Sequence, residues 1–129
     1  MQPVSTPNAP APAGHYSQGI VHNGLVYVAG QLPLDPQRSS DIPPTIEEQT
    51  ERTLENVRAI LRAAGSDLDR LLQVTIYVSD MSLWGRVNET YARILGAHRP
   101  ARAVVPTKEL RHGCLLEIQA IAAVAEGVA

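Results

Sequence analysis

The chain has 129 residues, 44% of them hydrophobic, with 11 basic residues against 13 acidic and a net charge of −2. That length holds one domain around one core, and the near-balanced charge leaves no electrostatic footprint for nucleic acid. No apolar run nears the ~20 residues of a membrane helix, and the lone cysteine, Cys114, excludes a disulfide within the chain.

The four histidines are scattered singly, so no metal-ligand spacing appears. The first residues lack the basic segment and apolar stretch of a secretion signal. A cytoplasmic protein of one domain over residues 1–129 is expected, with neither membrane nor nucleic acid as a partner.

Residues 1–13 are rich in Pro, Ala and small polar residues and read as an extended lead-in. A loop follows from Gly14 to Gly19, with Tyr16-Ser17-Gln18 between its glycines. Ile20–His22 and Leu25–Val28 flank Asn23-Gly24, a dipeptide suited to the two positive φ angles of a tight hairpin turn. Gly30, at the end of the second strand, predicts a bulge or a close approach of backbone. Leu34–Pro44 is a loop by its Pro and Ser content.

Thr45 and Glu48 form a capping box ahead of a helix. Leu54, Val57, Ile60, Leu61 and Ala64 recur along its inner face, Glu48 and Arg52 are spaced to pair on its surface, and Gly65 stops it. Leu71–Val78 alternates as a strand with Val74, Ile76 and Val78 on one face. Asp80 or Ser82 caps a second helix, with Leu83, Val87, Tyr91, Ile94 and Leu95 inward and Gly96 at its end. Asn88 and Tyr91 lie side by side on it.

Two further strands follow. The first carries Arg102. The second runs Cys114–Ala122, with Glu117 in its middle and Leu116, Ile118, Ala120 and Ala122 on one face. Both faces of that strand read as largely apolar, so two helices cover one face of the sheet and a second subunit is expected on the other. Opposite charges inside consecutive apolar strands suggest either a simple ion pair or one shared site.

Tyr16-Ser17-Gln18, Ala29-Gly30-Gln31-Leu32-Pro33, Gln49, Asn56, Gly65, Asn88-Glu89-Thr90-Tyr91, Pro100-Ala101-Arg102 and Leu116–Ala122 stand in an order and spacing that resembles the RidA/YjgF/UK114 family. The resemblance runs from about Gly14 to Ala123. It implies a chorismate-mutase-like α+β fold: one mixed sheet with two helices on one face, assembled as a homotrimeric barrel with ligand clefts between subunits. It implies an enamine/imine deaminase that hydrolyses 2-aminoacrylate and related 2-imino acids to 2-keto acids and ammonia, without metal or cofactor.

By the same resemblance, Arg102 binds the substrate carboxylate and Glu117 orients the attacking water. Tyr16 walls the cleft, Gly30 lays its backbone against the ligand, and Asn88 supports the site. A neighbouring Arg102 would favour the ionised form of Glu117. Three positions depart from the family pattern. Ala29 stands where a Ser is common, Val104 where a Cys is frequent and Arg111 where a Pro is usual. These departures leave open a deaminase dedicated to another enamine acid of the 2-aminomuconate kind, or a keto-acid-binding regulatory trimer without turnover.

Overall fold

The computed structural model describes residues 1–125; the expected domain extends to Ala129, and residues 126–129 lie outside the described residues. Strands β1 (Gln2–Val4), β2 (Gly19–His22), β3 (Leu25–Gln31), β4 (Leu71–Val78), β5 (Ala101–Pro106) and β6 (Leu116–Ala123) form one sheet in the order β1-β2-β3-β6-β4-β5. Only β4 and β5 pair in parallel; every other neighbouring pair is antiparallel. Helices α1 (Ile46–Ala63) and α2 (Trp84–Leu95) are the crossovers from β3 to β4 and from β4 to β5. Both crossovers travel the same way along the sheet, so a right-handed turn in each puts both helices on one face.

Local chemistry explains most boundaries. Asn23 and Gly24 have φ of 51° and 77°, the paired positive angles expected of the β2–β3 turn. The Thr45 side chain accepts the Glu48 N–H at 3.1 Å and its hydroxyl donates to the Glu48 carboxylate at 2.9 Å. Glu48 is thus occupied by its cap and Arg52 donates to Asn56 Oδ1 at 3.0 Å, so the expected Glu48–Arg52 pair does not form. Asp80 caps a short 3₁₀ turn, Met81–Leu83, from which α2 continues at Trp84.

The core lies between helices and sheet. Leu54, Val57, Ile60, Leu61 and Ala64 of the α1 face meet Val74, Ile76, Val78, Leu116 and Ile118 of the sheet, all of them buried. The uncovered face carries Tyr27, Gln73, Thr75, Tyr77, Glu117, Gln119 and Ile121. It is more polar than the expectation of two largely apolar faces, because Gln73 and Thr75 of β4 stand beside Gln119 of β6, Thr75 directly in register with Gln119.

The lead-in is more ordered than its composition suggests. Its first residues pair with β2, and the buried Gln18 amide donates to the carbonyls of Thr6, Ala9 and Pro10 while accepting the Thr6 N–H at 2.7 Å. Two further buried amides fasten loops to α1. Asn56 Nδ2 donates to Leu32 O at 3.0 Å and Leu34 O at 2.8 Å. Gln49 donates to Pro43 O and accepts the Leu115 N–H, both at 2.9 Å. Cys114, expected inside the last strand, lies just before it and is buried.

Candidate functional site

Strand order decides which candidate residues meet. β5 and β6 are consecutive in sequence, but β4 lies between them in the sheet. Arg102 is in register with Val74, whose side chain is in the core, so Arg102 projects on the helix face at the sheet's edge. Glu117 is in register with Tyr77 and projects on the uncovered face. The expected shared site of Arg102 and Glu117 does not form within one chain, nor does an ion pair between them. The physical reason is the period of two along each strand combined with β4 standing between them.

The Arg102 cluster is built on α2. Trp84, Asn88 and Tyr91 share one face of that helix by their spacing. The guanidinium lies 4.6 Å from the Trp84 ring centroid and 4.9 Å from that of Tyr91, and donates to Asn88 Oδ1 at 2.9 Å. Aromatic faces and an amide oxygen hold a planar cation without neutralising it. Among the described residues no carboxylate lies within ion-pair distance of Arg102. A cavity of about 430 Å³ opens beside it, lined by Asn88, Tyr91, His98 and Arg99 among others. Burial raises the Tyr91 hydroxyl's pKa against the opposing pull of Arg102, so the phenol stays neutral. Val104, two residues beyond Arg102 on the same face, packs against the core.

The Glu117 cluster is built on the bulge of β3. The β3–β6 register shifts between Val28 and Gln31, which places Gly30 against Glu117. A Cβ at Gly30 would stand 2.6 Å from Glu117 Oε2, so only glycine leaves the carboxylate where it is. Ala29 is anchored in the bulge, its N–H donating to Gln18 O at 2.9 Å and its carbonyl accepting from Gln31. Tyr16 and Gly30 line a cleft of about 670 Å³. Tyr16 is half exposed, and its hydroxyl accepts the Ala13 N–H at 3.3 Å.

Burial pushes the Glu117 carboxyl above the ordinary carboxylate range. Within one chain Arg102 is on the other face and does not act on this carboxyl. Cys114 offers no alternative nucleophile: burial, then the Glu117 charge, pushes its thiol up. No cluster of His, Cys, Asp and Glu suited to a metal occurs among the described residues, and no helix there is long and apolar enough to cross a membrane. Sequence reading missed Trp84 as a partner of Arg102. The available signal was the chain's only Trp standing four and seven residues before Asn88 and Tyr91.

A mixed sheet with two crossover helices on one face defines a small α+β fold, with one cavity beside Arg102 and another beside Tyr16 and Gly30. A family model described as Endoribonuclease L-PSP matches residues 6–124. The chain is 42% identical to a RutC family protein of Pyrococcus horikoshii over 119 residues, covering 92% of this chain and 94% of that one. It is 37% identical to the mouse 2-iminobutanoate/2-iminopropanoate deaminase over 119 residues, covering 92% and 88%. Among solved structures it is similar to Escherichia coli TdcF with bound serine, with a TM-score of 0.92 at 32% identity, covering 97% of this chain and all of that one. The chain belongs to the RidA/YjgF/UK114 family, that of the L-PSP endoribonuclease model.

Proposed function

We propose that this chain is a 2-imino acid deaminase acting as a homotrimer, whose sites join Arg102 of one subunit to Tyr16, Gly30 and Glu117 of another. One observation carries the reading. Among the described residues, Arg102 is held by Trp84, Tyr91 and Asn88 with no carboxylate paired to it, while Glu117 is held on the opposite face with no cation paired to it. Each half lacks what the other supplies. The deaminase names of the mouse and rat relatives and the serine bound to TdcF support a small amino-acid-derived ligand.

The chemistry follows from these groups. Arg102 takes the substrate carboxylate through two parallel N–H···O bonds and fixes C2 of the imine. Glu117, ionised, accepts a proton from water as the water oxygen bonds to C2 and the C=N electrons move to nitrogen. The carbinolamine then loses ammonia: Glu117 returns its proton to nitrogen, the C–N bond breaks, and the hydroxyl's O–H electrons form the C=O bond as that second proton passes to Glu117 and on to the departing ammonia. A 2-keto acid and ammonia leave, with no redox change and no cofactor required by the balance. The raised carboxyl pKa makes Glu117 a stronger base, and an Arg102 arriving from a neighbouring subunit keeps it ionised at neutral pH.

The uncovered sheet face, with Tyr27 43% exposed beside Ile121, is the surface on which such a trimer would close. The test couples a threonine/serine dehydratase to this protein and follows keto-acid release. Acceleration by the wild type and none by Arg102→Ala is the expected result. No acceleration by folded wild type would overturn the reading in favour of a binding protein without turnover.

A further inference from the structure

We propose that Arg111 selects substrates bearing a second carboxylate, so that this chain prefers dicarboxylic 2-imino acids to small monocarboxylic ones. The inference rests on the deaminase reading and names its substrate class.

Tyr16 and Gly30 line the same cleft as Arg111 and His112. Arg111 is the one side chain of fixed charge among the described residues that line it, and none of them is acidic. At about 670 Å³ the cleft has room well beyond what three or four carbons occupy. Beside Tyr16 and His112, its remaining polar wall comes from the amides of Gln31 and Gln37 and the hydroxyls of Ser39 and Ser40.

Arg111 is also unspent. Among the described residues no carboxylate lies within 4.0 Å of its guanidinium, and its one polar contact is the His112 ring nitrogen at 3.5 Å. The chain places it deliberately. Residues Arg111–Gly113 form a 3₁₀ turn in which His112 has φ 59° and Gly113 φ 71°. A positive φ is uncommon for a residue other than glycine, so this turn is a specific conformation. It leaves both basic side chains lining the cleft, while Gln49 ties down the Leu115 N–H just beyond.

A solvated arginine with no internal partner is available to a ligand anion. Its planar fork suits a carboxylate. With the first carboxylate of a 2-imino acid on Arg102, the distal group of an acidic amino-acid imine is the anion that reaches toward Arg111. The reaction that supplies such a substrate is the two-electron oxidation of an acidic amino acid at its α-carbon, or an elimination that leaves an enamine diacid.

The test uses the full chain and two oxidases. One forms dicarboxylic imines from acidic D-amino acids, the other monocarboxylic imines from neutral amino acids. Keto-acid release is followed against semicarbazide as the competing trap. We expect a higher kcat/KM for the dicarboxylic imine in the wild type. The ratio of the two kcat/KM values is expected to fall at least tenfold in Arg111→Ala, further in Arg111→Glu, and to recover in part in Arg111→Lys. A ratio unchanged by these variants, with both imines turned over, would overturn the inference and leave the deaminase reading standing. A wild type that turns over only monocarboxylic imines would do the same. Acceleration of neither imine would overturn both. Thermal melting of each variant checks that the fold is kept.

Discussion

Replacing Gly30 by alanine probes the tightest contact in the candidate site. The new Cβ would lie 2.6 Å from Glu117 Oε2 and 3.0 Å from its Cδ. To regain ordinary contact at 3.4 Å the carboxylate must retreat by about 0.8 Å. The atoms that must move belong to the end of a flexible side chain, so the fold absorbs the change at a cost of about 1 kcal/mol, the low end for overpacking. That corresponds to a fall of about 3–5 °C in melting temperature for a chain of this size. Catalysis is far more sensitive, because a 1 Å misplacement of a reacting group costs about 100-fold. We therefore expect Gly30→Ala to lose about 30- to 100-fold in kcat in the coupled imine assay. The substitution is expected to add almost nothing in a Glu117→Gln background, since both act on one group. Full activity in a folded Gly30→Ala protein, or equal losses in both backgrounds, would refute the placement of Glu117 as the base.

Four further outcomes follow from the geometry. Asn88→Ala removes the 2.9 Å acceptor that orients Arg102, and a charge-assisted bond of about 1.5–3 kcal/mol predicts a rise in KM of roughly ten- to a hundredfold, read in steady-state kinetics. Because burial raises the Glu117 carboxyl, the acid limb of the pH–rate profile is expected above the ordinary carboxylate range and is lost in Glu117→Gln. The same group affects stability with the opposite sign from a salt-bridged acid. The folded state holds its proton to higher pH, so stability falls as pH rises from the unfolded to the folded pKa, and Glu117→Gln is expected to melt higher than wild type at pH 7 but not at pH 4. Asn56→Ala strands the Leu32 and Leu34 carbonyls and is expected to cost about 2–4 kcal/mol, seen as a lower urea midpoint at unchanged slope.

The parts of this fold that depend on local chemistry are legible in the sequence. Asn23-Gly24 demands its turn, Thr45 and Glu48 demand a helix start, and Gly65, at φ 81°, ends that helix with the backbone that only glycine adopts freely. The alternation in β4 and β6 names the core face of each strand correctly. Alternation is silent on which strand lies beside which. β4 pairs with β6 on one side and β5 on the other, the β4–β6 partners lying 38 or more residues apart in the chain, and this order together with the period of two along each strand separates Arg102 from Glu117. Side-chain amides are illegible for a related reason. Gln18, Gln49 and Asn56 look like surface residues by type, yet each is buried because distant backbone groups need it. Glu48 and Arg52 show the limit even of local rules, since each bonds instead to another residue nearby in the chain, Glu48 to the capping Thr45 and Arg52 to Asn56.

The central claim is that a working site takes Arg102 from one subunit and Glu117 from another. Co-expressing Arg102→Ala with Glu117→Gln tests it directly. If subunits assort at random in a closed ring, about one quarter of the sites combine an intact Arg102 with an intact Glu117. The mixed protein is then expected to recover about a quarter of wild-type activity, although each variant alone keeps only a small residual activity. Mixed oligomers that form and remain inactive would contradict the account.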